Sequence, residues 1–215
     1  MTSEMPKVRH DPIRLAVLLS GGGTTMQNLA DEIAAGRLRA KISVVIASND
    51  QAYGLKRAEK LKVPSFVVPR TEYDTAEDFS DHLFDLVRDA GADLVCLAGF
   101  LSLLAIPDDF VNRVINIHPS LLPAFGGKGM YGRRVHEAVI ETGCKVSGCT
   151  VHFANQEYDR GPILIQRTCP VEEDDTPDTL AARVGEQEHI AYPEAIRLIA
   201  QRRVEIAEGR TRIKP

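Results

Sequence analysis

No stretch of the 215-residue chain is apolar for long enough to cross a membrane: the longest runs, Leu15 to Leu19 and Leu94 to Ala98, fall far short of the roughly 18 residues a spanning helix needs. Nor is there an excess of positive charge. With 26 basic and 30 acidic side chains the formal net charge is -4, which gives no global attraction to nucleic acid or to an anionic membrane surface. Any phosphate must therefore be held locally. The opening MTSEMPKVRHDP lacks the apolar core of a secretory signal, so residues 1–12 read as a flexible leader and the expected compartment is the cytoplasm. Cysteine is scarce. Cys96, Cys144, Cys149 and Cys169 form no C-x-x-C pair, and free, mostly buried thiols are expected. No linker-like tract or fixed-period repeat divides the chain, and 44% hydrophobic with 26% charged residues is an ordinary globular balance. A single domain over residues 13–215 follows.

What the chain does have is alternation. Short β-branched runs at 13–20, 42–48, 65–68 and 93–99 read as strands, and between them lie helical patterns at 26–35, 51–61 and 75–90. In the last of these helices Phe79, Leu83, Leu86 and Val87 share one face. Strands alternating with helices imply parallel pairing by right-handed crossovers, so the fold class is α/β, a doubly wound and mostly parallel sheet with helices on both faces. Beyond residue 100 the pattern changes. A strand at 113–118 and a helix at 133–143 precede two longer strands, 145–154 and 162–171, whose compact connection predicts an antiparallel edge hairpin. A long helix over 176–201 closes the fold, with Pro177 in its first turn. In such sheets ligands sit outside the carboxyl ends of the strands. Residues 13–99 form a phosphate-binding half in this reading and 100–201 a catalytic half.

The first motif at a strand end is LLSGGGTTMQNLA. Backbone amides of Gly21 to Thr25 converge where the following helix carries partial positive charge, which makes an anion cradle. The segment lacks the G-K-[ST] of a P-loop, and Met26 stands where a dinucleotide fold has its third glycine, so a terminal monophosphate fits best. The second motif is NIHPSLLP. Side chains two apart on a strand point the same way, so Asn116 and His118 line one wall while Ile115 and Ile117 face the other. Pro119 ends the ladder and holds His118 extended. Thr150 and His152 repeat the pattern in CTVHF, and Asp159 follows in the next turn. An amide, an imidazole and a carboxylate suit acyl transfer: amide and protonated imidazole stabilise an oxyanion, and the carboxylate raises the imidazole pKa or relays a proton. No nucleophile is apparent, since Ser120 has no G-x-S-x-G elbow and neither Cys144 nor Cys149 has a histidine at motif spacing. Direct attack by a substrate amine removes the need for one. His118, His152 and Asp159 have no recognised metal-ligand spacing, and no metal is expected.

LLSGGGTTMQ, LAGFLSLL, NIHPSLLPAF, GCTVHF, YDRGPIL and EQEHIAYP occur in an order and spacing that resembles the phosphoribosylglycinamide formyltransferases, across roughly residues 13 to 200. The resemblance implies transfer of a formyl group from 10-formyltetrahydrofolate to the amino group of glycinamide ribonucleotide in purine biosynthesis. It implies Asn116, His118 and Asp159 as catalytic trio, Gly23, Thr24 and Thr25 as phosphate contacts, and Glu188 as the acid that holds the ribose hydroxyls. Leu101, Ser102, Leu103, Leu104 and Val111 match the pterin pocket, and Asn155, Gln156, Glu157 and Tyr158 match the folate-binding loop. Thr150 and His152 are expected to orient the Asp159 turn. Partners are these small molecules, with no nucleic acid and no membrane, in a monomer or homodimer. Thr25 replaces a frequent asparagine, and Ser102 and Ala76 replace frequent arginines. AFGGKGMYGRRVH, with Lys128, replaces a histidine-containing loop and reads as a mobile flap. The alternatives are methionyl-tRNA formyltransferase, which needs a further C-terminal domain, a formyltetrahydrofolate deformylase, and a non-catalytic folate- or nucleotide-binding module.

Overall fold

The structure is a computed structural model that describes residues 7–215. Strands β1 (Ile13–Leu19), β2 (Ala40–Ala47), β3 (Ser65–Val67), β4 (Leu94–Leu97) and β5 (Val114–His118) pair in parallel. Strands β6 (Val146–Phe153) and β7 (Ile163–Pro170) add antiparallel to β5, giving one seven-stranded sheet in the order β3-β2-β1-β4-β5-β6-β7. The chain turns one way from β1 and the other way from β4, so a crevice opens between their carboxyl ends. Ser20 stitches that crevice: its amide donates to Gly99 O at 3.0 Å, and its hydroxyl accepts from Ser48 at 2.7 Å and from the Leu101 amide at 3.2 Å.

Helices α1 (Thr24–Ala34) and α5 (Pro177–Ala200) lie on one face of the sheet, where Met26, Leu29, Leu180, Val184 and Ile196 share a core with Leu15, Val17 and Ile115. Helix α3 (Ala76–Asp89) covers the other face through Phe79, Leu83, Phe84 and Val87. Its start is written locally: Thr75 accepts the Asp78 amide at 3.0 Å, and Glu77 and Asp78 oppose the helix dipole in the first turn. The start of α5 is fixed by a reciprocal Thr176–Thr179 capping box behind Pro177. The fully buried Tyr192 hydroxyl donates to Leu97 O at 2.9 Å and Ile115 O at 3.0 Å, pinning α5 to the two central strands that carry the site. Helices α2 (Tyr53–Lys60) and α4 (Arg133–Glu141) complete the layers.

Two features differ from the sequence expectation. Residues 7–12 do not hang free as a leader. The Arg9 amide and the His10 ring meet Asp93 at 2.8 and 3.0 Å, and the Arg14 amide meets it at 3.0 Å, because a carboxylate only 2% exposed must find donors. Residues 1–6 lie outside the described residues. A hairpin, β8 (Val204–Ala207) with β9 (Arg210–Ile213), follows α5 and has no counterpart in the strand pattern read from the sequence. Thr211 donates to Ile163 O at 2.6 Å, so the hairpin covers part of the β7 edge. The cysteines are free, with Cys96, Cys149 and Cys169 buried.

Candidate active site

A cavity of about 940 Å³ runs over the carboxyl ends of β1, β4 and β5 and reaches α5. At one end is the loop Ser20–Thr25. Gly23 caps α1 in the left-handed region, φ 70° and ψ 26°, with no side-chain cap, so the first amides of α1 keep no side-chain partner at the cavity. A Cβ at Gly23 would stand 2.7 Å from Gly54 Cα, which fixes glycine there. A Cβ at Gly21 or Gly22 would meet no atom within 4 Å, so the space above them is open. The Thr24 and Thr25 side chains line the same cavity. Glu188 faces it from α5, and burial pushes its carboxyl up to about 7.

At the centre the register Asn116↔His152 and His118↔Thr150 sets four polar side chains on one face of β5 and β6. Asn116 Nδ2 donates to His152 Nε2 at 3.1 Å and to Asp159 Oδ1 at 3.4 Å. His152 Nδ1 is 3.0 Å from Phe153 O; a carbonyl only accepts, so the proton sits on Nδ1 and Nε2 is the acceptor. His118 Nε2 likewise donates to Phe125 O at 2.8 Å, leaving Nδ1 3.5 Å from Asp159 Oδ2. Asp159 Oδ2 also takes the Gly127 amide at 2.9 Å, and Asp159 is held at φ 56°, a left-handed conformation that Asp tolerates better than most residues. A Cβ at Gly126 would come within 2.4 Å of Leu122 Cδ2 and 3.2 Å of Asp159 Cβ, so a larger residue there would have to push the buried Leu122 side chain aside and crowd the carboxylate.

The electrostatics correct one expectation. Burial pushes the His118 imidazole below its ordinary pKa, and the attraction of Asp159 and the bond to Phe125 O do not offset it; the His152 ring adds to the lowering. The resting His118 is therefore neutral near pH 7, not an imidazolium held by Asp159. Burial alone would raise the Asp159 carboxyl, but the neighbouring His152 and His118 rings and the Gly127 amide outweigh it and hold it below its ordinary value.

Leu101, Ser102, Leu103 and Leu104 line the cavity's far wall, with Leu101 and Leu103 partly open to solvent; Asn155, Glu157, Tyr158 and Asp159 line it from the β6–β7 turn. Val111 does not line it: it is half exposed just beyond the turn Asp108–Phe110. Gln156 does not line it either and donates to Ile106 O at 3.3 Å. Thr150 is committed elsewhere. Its hydroxyl donates to Ser120 O at 2.6 Å and accepts the Leu122 amide at 3.0 Å, so it braces the turn after Pro119, not the Asp159 turn. His136, which from sequence alone reads as a structural histidine on its helix, is buried on α4 with Nδ1 unpartnered and its pKa lowered by burial, and it lines the cavity; so does Arg134, which sequence reasoning missed. It also missed the backbone of Phe125 and Gly127, which no side-chain pattern signals. Among the described residues no group of three or more His, Cys, Asp or Glu side chains is arranged to hold a metal ion.

An uncapped helix start and an amide–imidazole–carboxylate cluster opening into one cavity, on a doubly wound sheet, are the arrangement of a group-transfer enzyme. The chain belongs to the formyl transferase family, whose profile matches residues 13–196. It is 38% identical over 213 residues to the chloroplastic phosphoribosylglycinamide formyltransferase of Arabidopsis thaliana, covering 97% of this chain and 73% of that protein. It is 35% identical to the trifunctional purine biosynthetic protein adenosine-3 of Gallus gallus over 94% of this chain, but spans only 20% of that protein's length. The crystal structure of glycinamide ribonucleotide transformylase 1 from Symbiobacterium toebii matches with a TM-score of 0.87 at 41% identity, over 94% of each chain.

Proposed function

We propose that this protein transfers the formyl group of 10-formyltetrahydrofolate to the amino group of glycinamide ribonucleotide, in the cytoplasm and as part of purine biosynthesis. The observation that carries the reading is the shared cavity: a phosphate cradle at Gly21 to Thr25 and the Asn116, His118 and Asp159 cluster open into the same space. Glu188 faces the ribose hydroxyls in this reading. Its carboxyl, raised to about 7, offers either a proton or a lone pair to them. The apolar Leu101 to Leu104 wall suits a flat pterin, and the 155–159 turn closes over the remainder of the folate.

The chemistry uses no covalent enzyme intermediate. The substrate amine attacks the formyl carbon, a C–N bond forms, and charge gathers on the formyl oxygen, where Asn116 Nδ2 donates to it. Neutral His118 accepts the proton the amine sheds. The imidazolium so formed lies 3.5 Å from the Asp159 carboxylate, which stabilises it. As the bond from carbon to N10 breaks, that proton passes to N10, so tetrahydrofolate leaves neutral at that position and the formamide is complete. Asp159 assists by charge and is not itself consumed.

The test is absorbance-followed turnover of a 10-formyl-folate by the pure protein, with and without glycinamide ribonucleotide. Turnover that depends on the amine is expected. Equal turnover without it would make water the acceptor and the reaction a deformylation.

A further inference from the structure

The glycine-rich segment 126–132 has no role in the scheme above beyond its backbone contacts, yet it brings charge to the cavity. Among the described residues, Lys128 on this segment and Arg134 in the first turn of α4 are the lysine and arginine that line it; the acids are Glu157, Asp159, Glu186 and Glu188. Four carboxyl groups against two permanent cations make a poor host for a phosphate dianion unless the cations sit beside it. The cradle itself brings none, because Ser20 to Thr25 carry no charged side chain. Arg57 buttresses the loop from outside, donating to Gly22 O at 2.9 Å with its guanidinium 5.3 Å from the Tyr53 ring, and it does not line the cavity.

The layering of the fold says which ligand the two cations meet. Phe125 and Val139, on either side of the segment, pack into the core shared by α1 and α5. Phe100, Leu104 and Ile106, around the apolar wall, pack into the core on the opposite face of the sheet. The segment therefore rises on the phosphate side. Neither cation forms an ion pair among the described residues. Arg134 rests 5.3 Å from the Tyr131 ring centroid, whereas its neighbour Arg133 is occupied by Glu137 at 2.8 Å and Asp178 at 2.5 Å.

We infer that Lys128 and Arg134 close over the phosphate of the amine substrate and supply the positive charge that the Gly21–Thr25 cradle lacks. This rests on the proposed reaction and adds two residues to its substrate site. One continuous stretch, 125–134, then holds both ends of the amine substrate's chemistry: its cations take the phosphate, and its Phe125 carbonyl and Gly127 amide hold His118 and Asp159.

The experiment compares steady-state kinetics on glycinamide ribonucleotide and on the corresponding riboside without phosphate, for wild type, Lys128→Ala, Arg134→Ala and Lys128→Arg. Each alanine variant should raise KM for the ribonucleotide about tenfold, the loss of one charge-assisted contact at a half-open site. KM for the riboside and for the formyl donor should not move, and Lys128→Arg should recover most of the loss. Calorimetry with inorganic phosphate should show the same weakening in both alanine variants. Equal increases for ribonucleotide and riboside, or an increase confined to the formyl donor, would overturn the inference, the latter by assigning the cations to the folate carboxylates. Absence of amine-dependent turnover in the wild type would instead sink the underlying reaction, and phosphate calorimetry would still decide the role of the cations. Both side chains are exposed, so the variants should fold.

Discussion

Replacing Gly23 with alanine should damage the fold, whereas replacing Gly22 should damage ligand binding alone. At Gly23 a methyl group meets two penalties. The backbone sits at φ 70°, which costs an L side chain about 1 kcal/mol. The Cβ would also stand 2.7 Å from Gly54 Cα, a backbone atom of α2, so that relieving the contact means moving main chain and not one side chain. Overpacking of that kind costs about 1–3 kcal/mol, so Gly23→Ala should lose about 2–4 kcal/mol. In a chain of this size that lowers Tm by about 5–15 °C. Gly22 has no neighbour within 4 Å of its would-be Cβ and no left-handed φ, so alanine there should change stability by less than about 0.5 kcal/mol. Yet the methyl group would enter the space assigned to the phosphate, and KM for the ribonucleotide should rise about tenfold or more. Urea unfolding and steady-state kinetics on both variants separate the two effects. If Gly22→Ala bound substrate as well as wild type, the three glycines would be a tight strand-to-helix turn and no cradle. If Gly23→Ala were as stable as wild type, the crowding argument itself would fail.

Turnover should fall on acidification only below about pH 6.5, because His118 must be neutral to accept a proton and burial lowers its pKa. Asp159→Asn removes the attraction that partly counters burial, so the acid limb should move to lower pH while kcat drops; an unmoved limb in a pH–rate series would refute the pairing. Glu188, raised to about 7 from an ordinary 4.5, binds more protons folded than unfolded between those values, so its contribution to stability is lost as pH rises through that window. Glu188→Gln should therefore raise Tm at pH 8, by a gain on the order of 2 kcal/mol, and leave it unchanged at pH 4; equal shifts at both would contradict the assignment. Tyr192→Phe removes the hydroxyl shared by Leu97 O and Ile115 O and should cost about 1–2 kcal/mol in urea unfolding, with an unchanged midpoint arguing that the carbonyls are satisfied without it.

Most of the sheet is legible in the sequence because its strands announce themselves twice, by β-branched runs and by the helices that must lie between parallel partners. The facing of Asn116, His118, Thr150 and His152 follows from a period of two, and the register between β5 and β6 bears it out. What escapes is less periodic. The hairpin VEIAEGRTRI carries both signals, alternation and a Glu208-Gly209 turn with φ 53° and 71°, but it is short and its signal is overshadowed by the long helix before it. Thr150 braces a different turn from the expected one because a strand pattern gives the side a hydroxyl faces and not the carbonyl it finds. The protonation of His118 departs from expectation for a related reason: Asp159 is visible in sequence, whereas the burial that outweighs it is a property of the packed cavity.

The resting hydrogen bonds of the cluster indicate where a formyl oxygen enters the proposed reaction. Within the Asn116, His118 and His152 cluster each side-chain donor is already engaged: His118 Nε2 with Phe125 O at 2.8 Å, His152 Nδ1 with Phe153 O at 3.0 Å, and the two Asn116 amide hydrogens with His152 Nε2 at 3.1 Å and Asp159 Oδ1 at 3.4 Å. An acceptor taken up by this cluster displaces one of these, and the cheapest to release is the longest, which already lies outside the usual range of about 2.7–3.2 Å. Releasing it frees one Asn116 hydrogen for the developing oxyanion and leaves the other bond to fix the amide's orientation against His152. Asp159, relieved of that contact, keeps the Gly127 amide on Oδ2 and stands ready for the charge that arrives on His118. The same displacement thus prepares the oxyanion donor and the proton-accepting pair together, which accounts for the placement of an asparagine, rather than a second charged group, between two histidines and a carboxylate.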